Sequence, residues 1–192
     1  MHRFGCGLLL CLCSLSLCAF AQENRIVRIG VAIMQRRPTQ ISGWGYVGLN
    51  SEVRDLLVSA LNQEKADKKR HVKVEAVPLD GTTPDNVGTE ATQKNCAYVV
   101  STTLVEWSRP GQPDPGGPYS RNQGQIGGIK GGDQVTVEYK LYRTGDSSAI
   151  STGSASNHDV MLRSSDLFTP VMNQIASRIF ADVKKATPPV QP

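Results

Sequence analysis

The chain has 192 residues, 39% of them hydrophobic and 20% charged, with a formal net charge of +4. One domain is the expectation at this length, and the apolar content excludes global disorder. The charge is too mild to point to nucleic acid, which is bound through dense Lys and Arg.

Residues 1–21 read as an export signal rather than as part of the fold. His2 and Arg3 give a small basic start, residues 7–20 are almost continuously apolar, and Ala19-Phe20-Ala21 forms an A-x-A cleavage site. An apolar run of about 14 residues is short for a bilayer span of about 20. Cleavage after Ala21 leaves 171 residues with a charge of +3. Cys6, Cys11, Cys13 and Cys18 leave with the signal, and only Cys96 stays behind. An internal disulfide is thereby excluded, so the fold must rely on its core. No cysteine has the small preceding residue of a lipobox behind an apolar run, because Leu17 precedes Cys18 and Leu12 precedes Cys13. The expected product is soluble and exported, periplasmic or extracellular, with no membrane span after cleavage.

The mature elements follow in order. Residues 25–34, "RIVRIGVAIM", begin by alternating and become continuously apolar, as in a central strand buried on both faces. Residues 35–48 form a polar, Gly-containing loop. A helix is expected over 51–69, capped by Asn50 or Ser51. Its stripe is Val53, Leu56, Leu57, Ala60 and Leu61, and Lys65, Lys68, Lys69 and Arg70 gather at its C-terminal end. Residues 71–79 alternate as a strand. A short helix over 85–95 is weakened by Gly88, and residues 96–107 are β-branched and strand-like. Residues 108–132 hold 8 of the 18 glycines and 4 of the 11 prolines, which predicts a flexible loop. Strict alternation over 133–143, a turn at Thr144-Gly145-Asp146 and small residues over 148–157 predict a hairpin. The last helix, 167–185, carries the stripe Phe168, Met172, Ile175, Ala176, Ile179 and Val183, with Pro170 in its first turn. Residues 187–192 are a polar tail.

The expected fold is therefore a mixed α/β domain over 22–186. It runs β-α-β-α-β, followed by a β-hairpin and a C-terminal helix, in a two-layer or three-layer sandwich.

Chemistry is sparse. His71 and His158 are the mature histidines, and nothing supplies the third group of a triad. His158 and Asp159 are adjacent strand residues, which point to opposite faces. No cysteine pair, His pair at i, i+4 or calcium-type loop is present, so no metal or other cofactor is expected. The glycines around Lys130 lead into a strand, whereas a phosphate loop leads into a helix. Cys96 enters an apolar strand and reads as a buried, inert thiol rather than a nucleophile. Asp80, Asp85 and Glu90 read as capping residues.

One constellation remains. In a parallel sheet of order 2-1-3, the loops after the first and third strands leave the same carboxyl edge and flank a crevice. Here these are the loops 35–48 and 107–132. They carry Arg36, Arg37, Trp44 and Tyr46 on one side, and Trp107, Arg109, Tyr119 and Arg121 on the other. Aromatic residues with Arg make up recognition surfaces. The competing reading is that Trp44 and Trp107 fold back over the end of the sheet.

The strand "VRIGVAIM", the helix "VRDLLVSAL", the strand "VKVEAVPL", the helix "EATQKNC" and the strand "AYVVSTTLVEW" resemble, in element order, a group of small bacterial envelope domains. These are the curli-secretion lipoproteins, the lipoprotein activators of penicillin-binding proteins and the N-terminal domain of the Tol translocation protein. The resemblance covers about residues 25–107. It implies a non-catalytic domain that binds proteins or assembles, and it transfers no functional residue. The missing lipobox departs from the lipoproteins, and the Gly/Pro content of 108–132 departs from the curli membrane hairpin.

The expected function is thus non-catalytic binding of a protein or envelope component through the two loops. A small-molecule or glycan site in the same crevice is the alternative. A hydrolase is the weakest reading, because no base presents itself.

Overall fold

The computed structural model describes residues 25–36, 49–67, 71–108, 133–159 and 167–187. The elements are β1 (Arg25–Val31), β2 (Gln35–Arg36), α1 (Leu49–Gln63), β3 (Val72–Pro78), α2 (Pro84–Gln93), β4 (Tyr98–Ser108), β5 (Asp133–Arg143), β6 (Ala149–Asp159) and α3 (Phe168–Ala186). Residues 1–24, with the expected export signal at 1–21, and residues 188–192 lie outside the described residues.

The mixed α/β class is as expected. Six strands form one sheet in the order β3-β1-β4-β5-β6, with β2 paired to β4. β1 lies parallel to β3 on one side and to β4 on the other, the 2-1-3 order. β4, β5 and β6 continue the sheet antiparallel. The hairpin turns through Gly145 at φ +91°, a left-handed conformation that costs glycine no steric penalty.

Alternation in the strands decides which face each residue serves. Val27, Ile29 and Val31 of β1, Val72, Val74 and Ala76 of β3, Val100 and Leu104 of β4, and Val135, Val137, Tyr139 and Leu141 of β5 form one buried face. Against it lie Val53, Leu57, Ala60 and Leu61 of α1, and Val171, Met172, Ile175, Ala176, Ile179 and Val183 of α3. Both amphipathic stripes therefore sit on the same side. α2 belongs to a smaller core of Leu79, Ala91, Cys96 and Val99, with Val77 and Val87 beside it. The odd residues of β1 serve the main core, whereas Gly30 faces Leu79 of the smaller one, so α2 lies on the opposite face. The sandwich has three layers over its parallel half.

Several element bounds differ from expectation. The first strand ends at Val31, and the chain resumes as β2, with Gln35 beside Thr103 and Arg36 beside Leu104. Gln35 and Arg36 therefore belong to the sheet and not to a loop. α1 ends at Gln63, and an antiparallel bridge between Asp67 and Val72 takes over, with Asp67 N–H donating to Val72 C=O at 2.8 Å. Lys65 thus lies beyond the helix, and the last helical turn holds no basic residue. Lys68, Lys69 and Arg70 lie outside the described residues. α2 starts at Pro84 behind Thr83, whose hydroxyl accepts from Asn86 N–H as an N-cap.

Candidate binding edge

The parallel order gathers the long connections at one end of the sheet. The chain leaves β2 at residue 36 and β4 at residue 108, and these strands are paired and parallel. β5 begins opposite the end of β4, with Gln134 beside Ser108, and β6 ends opposite the start of β5, with Asp159 beside Asp133. Connections 37–48, 109–132 and 160–166 therefore all depart from this end. The other end carries connections 64–71, 94–97 and 144–148, none as long as 37–48 or 109–132.

Two of the eight expected site residues are described. Arg36 projects toward α1, where its Nε donates to Asn50 Oδ1 at 3.1 Å. Asn50 thus lies inside the first turn of α1 and ties it to β2, instead of capping the helix. Trp107 is half-buried, and its ring meets Phe168 of α3 edge-on, with centroids 6.1 Å apart at 71°. It packs against the main core. A β-bulge between Leu104 and Glu106 causes this placement. Tyr98, Val100 and Leu104 face the core, so unbroken alternation would send Trp107 to the opposite face. The bulge shifts the phase by one residue and turns the indole onto α3. Trp107 folds back over the end of the sheet. Arg37, Trp44, Tyr46, Arg109, Tyr119 and Arg121 lie outside the described residues.

The structure adds Arg54, which sequence reasoning passed over, and shows Glu90 bonded to the β3–α2 connection instead of capping a helix. Arg54 is buried, with 8% of its surface exposed. Its Nε donates to Asp55 at 2.8 Å, and its guanidinium also donates to Leu79 C=O at 3.2 Å and to Asp80 Oδ1. Burial works against the charge, but the hydrogen bonds to Asp55 and Asp80 outweigh it and raise the guanidinium pKa further above its ordinary value. The signal was present in the sequence: Arg54, Leu57 and Leu61 share one helical stripe at i, i+3 and i+7. Arg54 fixes the β3–α2 connection to α1. Glu90 holds the same connection from the other side by accepting from Asp80 N–H at 2.8 Å and Gly81 N–H at 2.9 Å. Desolvation raises its pKa, but Lys94 at 2.7 Å and the two amides outweigh this and hold it below the ordinary carboxylate range. Glu90 is therefore a loop latch.

Cys96 is buried in the smaller core, and desolvation pushes its thiol pKa up. The thiolate is the reactive form, so the folded protein should be inert to thiol reagents at neutral pH. We expect labelling by a chromogenic disulfide to be at least about 100-fold slower in native buffer than in denaturant, because it must wait for local opening. Equal rates would show the thiol to be exposed.

Among the described residues, no group of three His, Cys, Asp or Glu is placed to hold a metal ion, and no helix is long and apolar enough to cross a membrane.

No protein-family model matches the chain, and no curated protein matches it. Solved structures do. Protein XCC0632 from Xanthomonas campestris, of family DUF330, matches with a TM-score of 0.50 at 11% identity over 85% of this chain and 89% of that one. The PelC dodecamer from Paraburkholderia phytofirmans matches with a TM-score of 0.43 at 13% identity, covering 84% and 88% of the two chains. Lipoprotein GNA1162 from Neisseria meningitidis matches with a TM-score of 0.38 at 11% identity, covering 84% and 99%. At these identities the likeness is one of fold, and the fold is a mixed α/β architecture found in bacterial proteins.

Proposed function

We propose that this chain is an exported, non-catalytic domain that binds a protein or another component of the cell envelope through the end of the sheet where β2 and β4 leave. The supporting observation is the convergence of connections 37–48, 109–132 and 160–166 on that one end, above a well-packed scaffold. Binding residues concentrate on loops that a rigid scaffold positions. Trp44, Tyr46, Arg37, Arg109, Tyr119 and Arg121 supply the aromatic and cationic groups of such a surface. Trp107 and Arg36 support it from below through Phe168 and Asn50.

The experiment separates surface from scaffold. Trp44→Ala with Arg109→Ala should abolish cross-linked capture of a partner from envelope extract and leave the melting temperature unchanged. Trp107→Ala should do the reverse, costing about 1 kcal/mol for the lost edge-on ring pair and more for the lost burial. A double variant that melts early yet still captures its partner would overturn the proposal. A glycan that raises the melting temperature of the wild type and not of the double variant would move the reading to a ligand site.

A further inference from the structure

A sheet of this kind has two edges, and the chain treats them differently. β3 is closed along its outer side by the chain's own groups. Asp67 bridges Val72, Asn62 donates to Ala76 C=O at 3.1 Å and accepts from Ala76 N–H at 2.8 Å, and Lys94 Nζ donates to Pro78 C=O at 2.7 Å. These bonds occupy backbone groups of Val72, Ala76 and Pro78 that an added strand would need.

β6 is the contrasting case. It runs for 11 residues, "AISTGSASNHD", with no proline and no Asp, Glu, Lys or Arg before Asp159. Ile150, 40% exposed, is one of two exposed large hydrophobic residues among those described. Arg178 of α3 donates to Ser154 C=O, so that carbonyl points away from β5. In an antiparallel strand the N–H and C=O of alternate residues share a side. Thr152, Ser154 and Ser156 accordingly direct their backbone groups outward, and Ser151, Gly153 and Ala155 direct theirs to β5.

We propose that the β6 edge is a strand-pairing surface for the β6 of a second copy of this chain, and that Arg178 holds it closed. A two-fold antiparallel pairing of β6 needs a strand that is compatible with its own reverse. Small, uncharged side chains over residues 149–157 meet that need, because no like charges are brought opposite one another. Ser154 is the middle residue of the strand. A pairing centred there needs the Ser154 carbonyl that Arg178 occupies. It also brings the two Arg178 guanidinium groups together at the two-fold axis, where they repel. Both effects fall on one side chain. Among the described residues the outer side of β3 is held by Asp67, Asn62 and Lys94, so pairing through β6 should stop at a dimer.

The test compares sedimentation of the purified wild type with Arg178→Ala, whose exposed side chain leaves the core untouched. The wild type should be monomeric. Arg178→Ala should self-associate as a dimer with at least about tenfold higher affinity, or 1.4 kcal/mol. Adding Ser156→Lys, which places a charge on the pairing edge, should restore the monomer. An unchanged far-UV spectrum confirms that each variant is folded. Arg178→Ala remaining as monomeric as the wild type would overturn the proposal. So would a dimer that survives Ser156→Lys, an open-ended assembly, or a wild type that dimerises equally well.

Discussion

Leu57→Ala should lower the unfolding free energy by about 2–5 kcal/mol, among the largest single-residue effects expected in this chain. Leu57 is fully buried in the main core, on the face of α1 that packs against β1, β3 and α3. Truncation removes transfer free energy and leaves a cavity. That cavity closes poorly here, because a sheet forms one wall and a second long helix another. Cys96 is free, so no disulfide of the described chain compensates. Folding stabilities of about 5–15 kcal/mol make this a large fraction of the total. At about 2–4 °C per kcal/mol for a chain of this size, the melting temperature should fall by roughly 10 °C. Urea unfolding should show a lower midpoint with an unchanged slope. A loss under 1 kcal/mol would mean that α1 is not clamped between the sheet and α3.

The elements with a strong period were legible in the sequence. β5 alternates without a break, and its four inward residues, Val135, Val137, Tyr139 and Leu141, are all buried. α3 was readable from its stripe, and its core residues are those of the stripe with Val171 and Phe180 added. Alternating β and α segments imply parallel pairing, and the common 2-1-3 order assumed for them is the one the sheet adopts. Features that depend on a remote partner were not legible. β2 is two residues long, too short for any period, and exists because the chain leaving β1 meets the second half of β4. The end of α1 carries no Gly or Pro, and residues 64–66 suit a helix. The helix stops where Asp67 pairs with Val72 instead. In sequence, Trp107 beside Arg109 has the composition of a recognition loop. A single extra residue in β4 turns it inward, and alternation cannot show a bulge of that kind. Six of the eight expected binding residues lie outside the described residues, so the binding edge rests on topology and composition.

Gly30→Val should destabilise the protein by about 2 kcal/mol, although valine is the better strand residue. Gly30 sits in the central strand β1, between β3 and β4, on the face opposite Val27, Ile29 and Val31. A Cβ there would lie 2.6 Å from Leu79 Cδ1 and 3.0 Å from Leu79 Cγ. Valine's strand preference would contribute up to about 1 kcal/mol in the other direction. Overpacking costs about 1–3 kcal/mol, and the branched side chain puts this case near the top of that range. Overpacking wins if Leu79 cannot move. Leu79 is fully buried among Ala91, Cys96 and Val99, and its amide is held by Val31 C=O at 2.8 Å, so neither rotamer nor backbone has room. A double-mutant cycle decides the cause. Leu79→Ala alone should cost about 2–5 kcal/mol through its cavity. In that background the valine fills the space, and the double variant should be more stable than the sum of the singles by about 2 kcal/mol. Additivity within about 0.5 kcal/mol would show that the glycine is required for some reason other than Leu79. The close approach explains why glycine interrupts an otherwise continuous apolar run in the middle of the sheet.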